Sequence, residues 1–301
     1  MRDPAGQVLA LHHPPFRAEV VTVGAALRTL TRDGVDLVAG WPAGEACPAY
    51  RGWVLAPWPN RVADGRYAFD GVEHQLPIDE VARGNALHGL AGWVVWAVTA
   101  HSDSRAVLTC TLPARPGYPT SLDLTVTYDL GDGGLRVTVE ATNVGAARAP
   151  YGTGHHPYLT VGRRLDECEL TLPASSYAPM DERGHPGAAE PVAGTELDFR
   201  SPRAIGATQI DHPFTALDPT DDEVTVVLRD PASGREVRLV SDPATFPWLH
   251  AFTADDHGAR ARESLAVEPM TCPPDAFGSG TDLVVLEPGD THRGSFRITG
   301  S

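Results

Sequence analysis

Leu122-Asp123-Leu124-Thr125-Val126-Thr127-Tyr128-Asp129-Leu130 alternates apolar and polar residues along its length. The turn cluster Gly131-Asp132-Gly133-Gly134 follows, and Leu135-Arg136-Val137-Thr138-Val139-Glu140-Ala141 then alternates again. Successive strand side chains point to opposite faces, so this pattern reads as an antiparallel hairpin with one face on a core. Similar runs recur at 18–23, 93–100, 106–112, 224–228, 237–240, 265–267, 283–286 and 295–299. Turn residues separate most of them: Asp33-Gly34, Asp70-Gly71, Ser233-Gly234 and Pro288-Gly289-Asp290. The chain has no amphipathic helix of three turns, and its 30 Gly and 27 Pro would interrupt one frequently. The prediction is all-β: a single large antiparallel sandwich spanning residues 1–301 without a linker.

Composition removes several function classes. The chain has 301 residues, 42% of them apolar, enough for a sizeable core and against wholesale disorder. A net charge of −15 disfavours nucleic acid and anionic membrane surfaces as partners. All 24 basic residues are Arg, which excludes lysine Schiff-base chemistry and the phosphate-binding loop that ends in Lys. The start, Met1-Arg2-Asp3-Pro4, leads into no apolar run of signal-peptide length, and no stretch reaches a membrane span. The four cysteines (Cys47, Cys110, Cys168, Cys272) are too scattered for a zinc site and fit reduced thiols. A cytoplasmic location is the expectation.

Two segments, 40–66 and 179–213, are long, irregular and rich in Pro, and loops of that kind commonly carry function. Of the twelve histidines, His74, His101, His185, His257 and His292 sit among polar or turn residues and read as surface. His12 and His13 read as inert, and His250 fits either a core or a site. His88, in Asn85-Ala86-Leu87-His88-Gly89, and His156, in Gly154-His155-His156-Pro157-Tyr158, have glycine neighbours that allow close approach of a ligand. His155 and His156 are adjacent in a strand, so at most one faces a given site.

Glu268 ends the apolar run Ser264-Leu265-Ala266-Val267-Glu268 before a proline-rich turn. A carboxylate there is partly desolvated and must be paired or functional. Asp211 also fits a turn that caps backbone N–H groups. Arg61, in Ala56-Pro57-Trp58-Pro59-Asn60-Arg61, suits directional hydrogen bonding to a ligand or a structural ion pair. Trp53, Trp58, Trp93, Trp96 and Trp248 could stack on a sugar ring or fill the core.

Taken together these motifs resemble the aldose 1-epimerases, the galactose mutarotase-like family. The match is carried in order by Asn60-Arg61-Val62 with Gly65-Arg66-Tyr67, by Asn85-Ala86-Leu87-His88-Gly89, and by Gly154-His155-His156-Pro157-Tyr158-Leu159. Ile210-Asp211-His212 and Ala266-Val267-Glu268-Pro269 with Pro274-Asp275-Ala276-Phe277 complete it. The resemblance spans residues 17–299. His155 stands where the galactose enzymes usually carry Asn. That dipeptide and the runs at 56–61 and 83–86 look more like a bacterial subgroup that includes sulfoquinovose mutarotases.

The resemblance implies a β-supersandwich with a sugar cleft on one face. It implies Glu268 as general base on the anomeric hydroxyl and His156 as general acid on the ring oxygen. Arg61, His88 and Asp211, with Asn60 and Tyr158, would bind the sugar. Neither a metal nor an organic cofactor is implied, the partner is a small sugar, and the chain would be a monomer or homodimer. Moving one proton off one oxygen and one onto another suits a Glu and a His near neutral pH. The expectation is an ionised Glu268 and a largely protonated His156 in the free enzyme, with a bell-shaped pH–rate profile. Competing readings are a mutarotase for an anionic sugar, a non-catalytic carbohydrate-binding sandwich, and a glycoside hydrolase using Glu268 and Asp211.

Overall fold

The computed structural model describes residues 3–301; Met1 and Arg2 lie outside it. Two large sheets dominate, one of twelve strands and one of nine. The opening hairpin is the heart of the nine-stranded sheet. Strands Leu122–Gly131 and Gly134–Asn143 pair in continuous register, Val126 with Val139 and Tyr128 with Val137. Thr291–Gly300 pairs with the second of these and continues the sheet. The alternation is used as read: Leu122, Leu124, Val126, Tyr128 and Leu130 are buried, whereas Asp123 faces solvent. Burying each large apolar side chain stabilises the fold by about 1.5–3 kcal/mol.

The twelve-stranded sheet packs its inner face on that core and carries the cleft on its other face. Its centre is Leu265–Met270, paired antiparallel with Trp248–Phe252. On the opposite edge Leu265–Met270 meets Tyr158–Leu159 and Gly154. Asp211–Leu217 pairs with the far side of Trp248–Phe252. Leu265, Val267, Leu249, Ala251 and Phe214 point into the core. The alternate positions, Glu268, His250 and Asp211, therefore share the other face.

The two sheets are tied directly beneath the cleft. Tyr128 of the hairpin donates its hydroxyl to Ala25 O (2.5 Å) and lies 3.0 Å from His155 Nε2. His155 packs against Phe296 and is buried in the core. The question left by the adjacent histidines is thus resolved: His155 faces inward and His156 faces the cleft. Four of the five tryptophans named above are buried, and Trp93, at 65% exposure, stands on the surface. None of the five lines the cleft, so of the two readings, stacking and core, the core one holds for the four buried tryptophans. Among the described residues no helix is long and apolar enough to cross a membrane.

Candidate active site

A cleft of about 320 Å³ opens on the twelve-stranded sheet. Asn60, Arg61, His88, His156, Tyr158, Asp211 and Glu268 all line it. They come from five separate parts of the chain. The irregular segment 40–66 delivers Ala49, Tyr50, Asn60 and Arg61, whereas 179–213 contributes only Asp211 to the lining.

Asn60 and His88 lock each other. Both have left-handed backbones (φ 55° and 59°), a conformation that Asn tolerates and His adopts less readily. The His88 N–H donates to Asn60 O at 2.7 Å, and the Asn60 N–H donates to His88 Nδ1 at 3.2 Å. Gly89 follows because a Cβ there would lie 2.2 Å from Ala56 O. The bond to Nδ1 leaves the ring proton on Nε2, as a donor for a ligand. His88, His156 and Glu268 bring ligating atoms within 4.8 Å of one another. A protonated Nε2 cannot ligate, so this cluster is arranged for hydrogen bonding rather than for a cation.

Arg61 is fixed by Glu80, which the sequence reading did not single out. Nε and Nη2 donate to the two carboxylate oxygens at 2.9 Å each, a bidentate pair. Nη1 reaches Asn60 Oδ1 at 3.3 Å. Asn85 Nδ2 donates to Glu80 Oε2 at 2.8 Å, and Asn85 Oδ1 is 2.7 Å from His185 Nε2. Gly184 lies against the guanidinium, where a Cβ would come within 2.6 Å of Arg61 Nε. The ion-pair reading of Arg61 is therefore realised, and the residue also lines the cleft.

His156 stacks flat on Tyr158 (5.0 Å between centroids, 7° between planes). Arg51 covers the Tyr158 ring at 4.4 Å, and the Tyr158 hydroxyl donates to Ala49 O. Tyr158 thus aims the His156 ring. His156 Nε2 lies 3.4 Å from Glu268 Oε1. Glu268 Oε2, His156 Nδ1 and His250 Nδ1 are buried without partners. Unsatisfied buried polar atoms are rare in folded proteins and gather where function requires them.

Burial pushes Glu268 up to about 7 and holds His156 and His88 well below the usual histidine range. This corrects the expected ionisation. Below about pH 7 burial therefore favours the uncharged pair, with the proton on Glu268 and His156 neutral. Burial alone would also raise Asp211, but His250 (Nε2 to Oδ1, 2.9 Å) and the Arg61 charge hold it below the usual carboxylate range.

His250, which fitted either a core or a site, is buried and lines the cleft, as does His257, which had read as surface. Tyr50, Phe252, Asp256 and Arg83 complete the rim. His250 could have been found by extending the period-two pattern through Leu249 and Ala251. The pairing of Glu80 with Arg61 leaves no sequence signal.

Residues 7–299 match the family model for aldose 1-epimerase. The uncharacterised protein YihR of Escherichia coli is 39% identical over 298 residues, covering 98% of this chain and 94% of that one. Rat galactose mutarotase is 30% identical over 221 residues, covering 68% and 63%. Among solved structures, a GalM/aldose epimerase homologue from Caenorhabditis elegans superimposes with a TM-score of 0.86 at 21% identity over 98% of both chains. Galactose 1-epimerase from Lactobacillus acidophilus gives 0.82 at 22% identity, over 97% of this chain and 93% of that one. The chain belongs to the aldose 1-epimerase family and is an isomerase of the mutarotase type with a sugar as its substrate.

Proposed function

We propose that the protein interconverts the α and β anomers of a free hexose or related sugar by acid–base ring opening and closure. Glu268 takes the proton of the anomeric hydroxyl, His156 delivers one to the ring oxygen, and the roles reverse on closure. Arg61, His88, Asp211 and Asn60 hold hydroxyls, and Tyr158 steadies His156. The carrying observation is the 3.4 Å separation of His156 Nε2 and Glu268 Oε1 at the floor of the cleft. The anomeric and ring oxygens share one carbon, so an acid and a base serving both must be close neighbours.

The resting protonation is compatible with this reading. A neutral Glu268–His156 pair and a charged one both hold a single proton. The reaction needs that proton count, and the assigned roles place the proton on His156, a form favoured when sugar hydroxyls donate hydrogen bonds to the Glu268 carboxylate. The pair titrates as a unit. Activity falls as pH rises through about 7, where Glu268 releases the shared proton, and falls again when a second proton enters at low pH.

A second reading, an anionic sugar such as sulfoquinovose or a hexose 6-phosphate, draws on Arg83. It lies on the rim, and its contact with Glu80 is a loose 3.7 Å. Anomer exchange followed by NMR on glucose, galactose, sulfoquinovose and glucose 6-phosphate tests both readings. Exchange of a neutral hexose supports the first. Exchange confined to the anionic sugars, and lost in Arg83→Ala, supports the second. No acceleration on any sugar, or full activity in Glu268→Gln, overturns the proposal.

A further inference from the structure

The bond between His250 and Asp211 has a setting that sugar binding alone does not explain. His250 stands directly opposite Glu268 across the paired strands Trp248–Phe252 and Leu265–Met270. Directly opposite side chains on one face of an antiparallel pair approach to about 5 Å at Cβ. Asp211 pairs in register with Phe252, two residues beyond His250, so all three lie on the cleft face. His250 is 2% exposed, its Nε2 lies 2.9 Å from Asp211 Oδ1, and its Nδ1 has no protein partner.

The groups around Glu268 differ in how they are matched. From the Tyr158 side come His156 and Tyr158, and across the cleft come Arg61 and His88. His212 lies on the strand of Asp211, and Asp256 and His257 stand at the rim. Arg61 is matched by Glu80, and burial keeps His88 and His156 uncharged. His250 and Asp211 are matched by each other, and both act on Glu268. The His250 imidazole favours the ionised Glu268 carboxylate, whereas the Asp211 charge opposes it.

We propose that His250 is a positioning residue of the isomerase: through Nε2 it holds the Asp211 carboxylate toward the sugar, and it sets the protonation of Glu268, the residue opposite it on the next strand. This rests on the reading of Glu268 as the base.

The test compares His250→Gln, whose amide can still donate to Asp211 but is not an imidazole, with His250→Ala, which loses both the donor and the ring. In anomer exchange measured from pH 5 to 9, His250→Gln shifts the alkaline limb of kcat/KM upward by about one pH unit, with KM close to the parent's. His250→Ala shows the same shift and a raised KM. Carbon-13 NMR of the Glu268 carboxyl in sugar-free protein follows the same displacement. Should His250→Gln fail to fold by near-UV circular dichroism, His250→Met replaces it, with the same limb shift expected. A limb and a carboxyl titration that coincide with the parent's overturn the inference. If the parent exchanges no sugar, the proposed function fails, and the carboxyl titration still decides whether His250 governs Glu268.

Discussion

The two sheets are built by opposite rules. In the nine-stranded sheet the strands are long, as in Leu122–Gly131 and Gly134–Asn143, with apolar side chains inward and polar ones outward. In the twelve-stranded sheet the central strands are short and closed on both faces. Every residue of Leu265–Met270 is buried, as are the first four of Trp248–Phe252. There the second face holds Glu268, His250 and Asp211 buried, where its counterpart holds threonines and exposed, mutually paired charges such as Arg105 with Asp129 and Arg293 with Glu140. Regular alternation marks the support, and its interruption by buried polar groups marks the chemistry. The support side should tolerate substitution at its solvent face, whereas the cleft side trades stability for reactive groups.

The largest test of this contrast is Glu268→Gln. Anomer exchange should fall by roughly 10²–10⁴-fold, the usual worth of a general acid or base. The same variant should be more stable at pH 8. Folded Glu268 keeps its proton up to about 7, whereas the unfolded carboxyl releases it near 4.5. The uncharged carboxyl carries no burial cost below 4.5, and stability is lost as pH rises through about 7. Gln removes that loss, worth on the order of 3 kcal/mol, which urea unfolding at pH 8 against pH 4 reads directly. A variant that is inactive and also less stable at pH 8 would erase the distinction between the sheets.

Next comes the Arg61–Glu80 clasp. Glu80→Ala leaves a buried guanidinium without its carboxylate, at a cost of about 3–5 kcal/mol. The effect on steady-state kinetics should fall mainly on KM. Unchanged KM and stability would reduce Glu80 to a loop residue. Tyr128→Phe removes the hydroxyl that joins the hairpin to Ala25 O and His155. A loss of about 1–3 kcal/mol is expected in urea unfolding, with kcat reduced only modestly. The smallest effect belongs to the open face of the nine-stranded sheet. Arg105→Ala breaks an exposed pair with Asp129 (2.8 Å) and should change stability by less than about 1 kcal/mol.

The same contrast explains what could be read in advance. The hairpin was legible because each residue from Leu122 to Leu130 meets either core or solvent. Strands Ala26–Arg32, Asp211–Leu217 and Trp248–Phe252 escaped notice because neither face is simply apolar or wet. Strands covered on both faces lose the two-residue period. Pro213 further disguises the strand that carries Asp211. The seven proposed site residues were assembled by the family resemblance; read from the residues alone, His88 and His156 stood out by their glycine neighbours and Glu268 by its place at the end of an apolar run. Their ionisation was not legible, because it depends on burial by residues remote in sequence. Glu80 lies 19 residues from Arg61 and joins it only through the fold.

The cleft also has a consequence for how the protein reaches its active form. Asn60, His88, His156, Asp211, His250 and Glu268 meet only after Tyr158–Leu159 has paired with Val35–Val38 of the first third on one edge and with Leu265–Met270 of the last third on the other. Such non-local pairing is slow, because loop-closure entropy is lost before contacts return it. Recovery of anomer exchange on refolding should accordingly trail the return of β-sheet circular dichroism, with enzymatic turnover reporting the last long-range pairing to form.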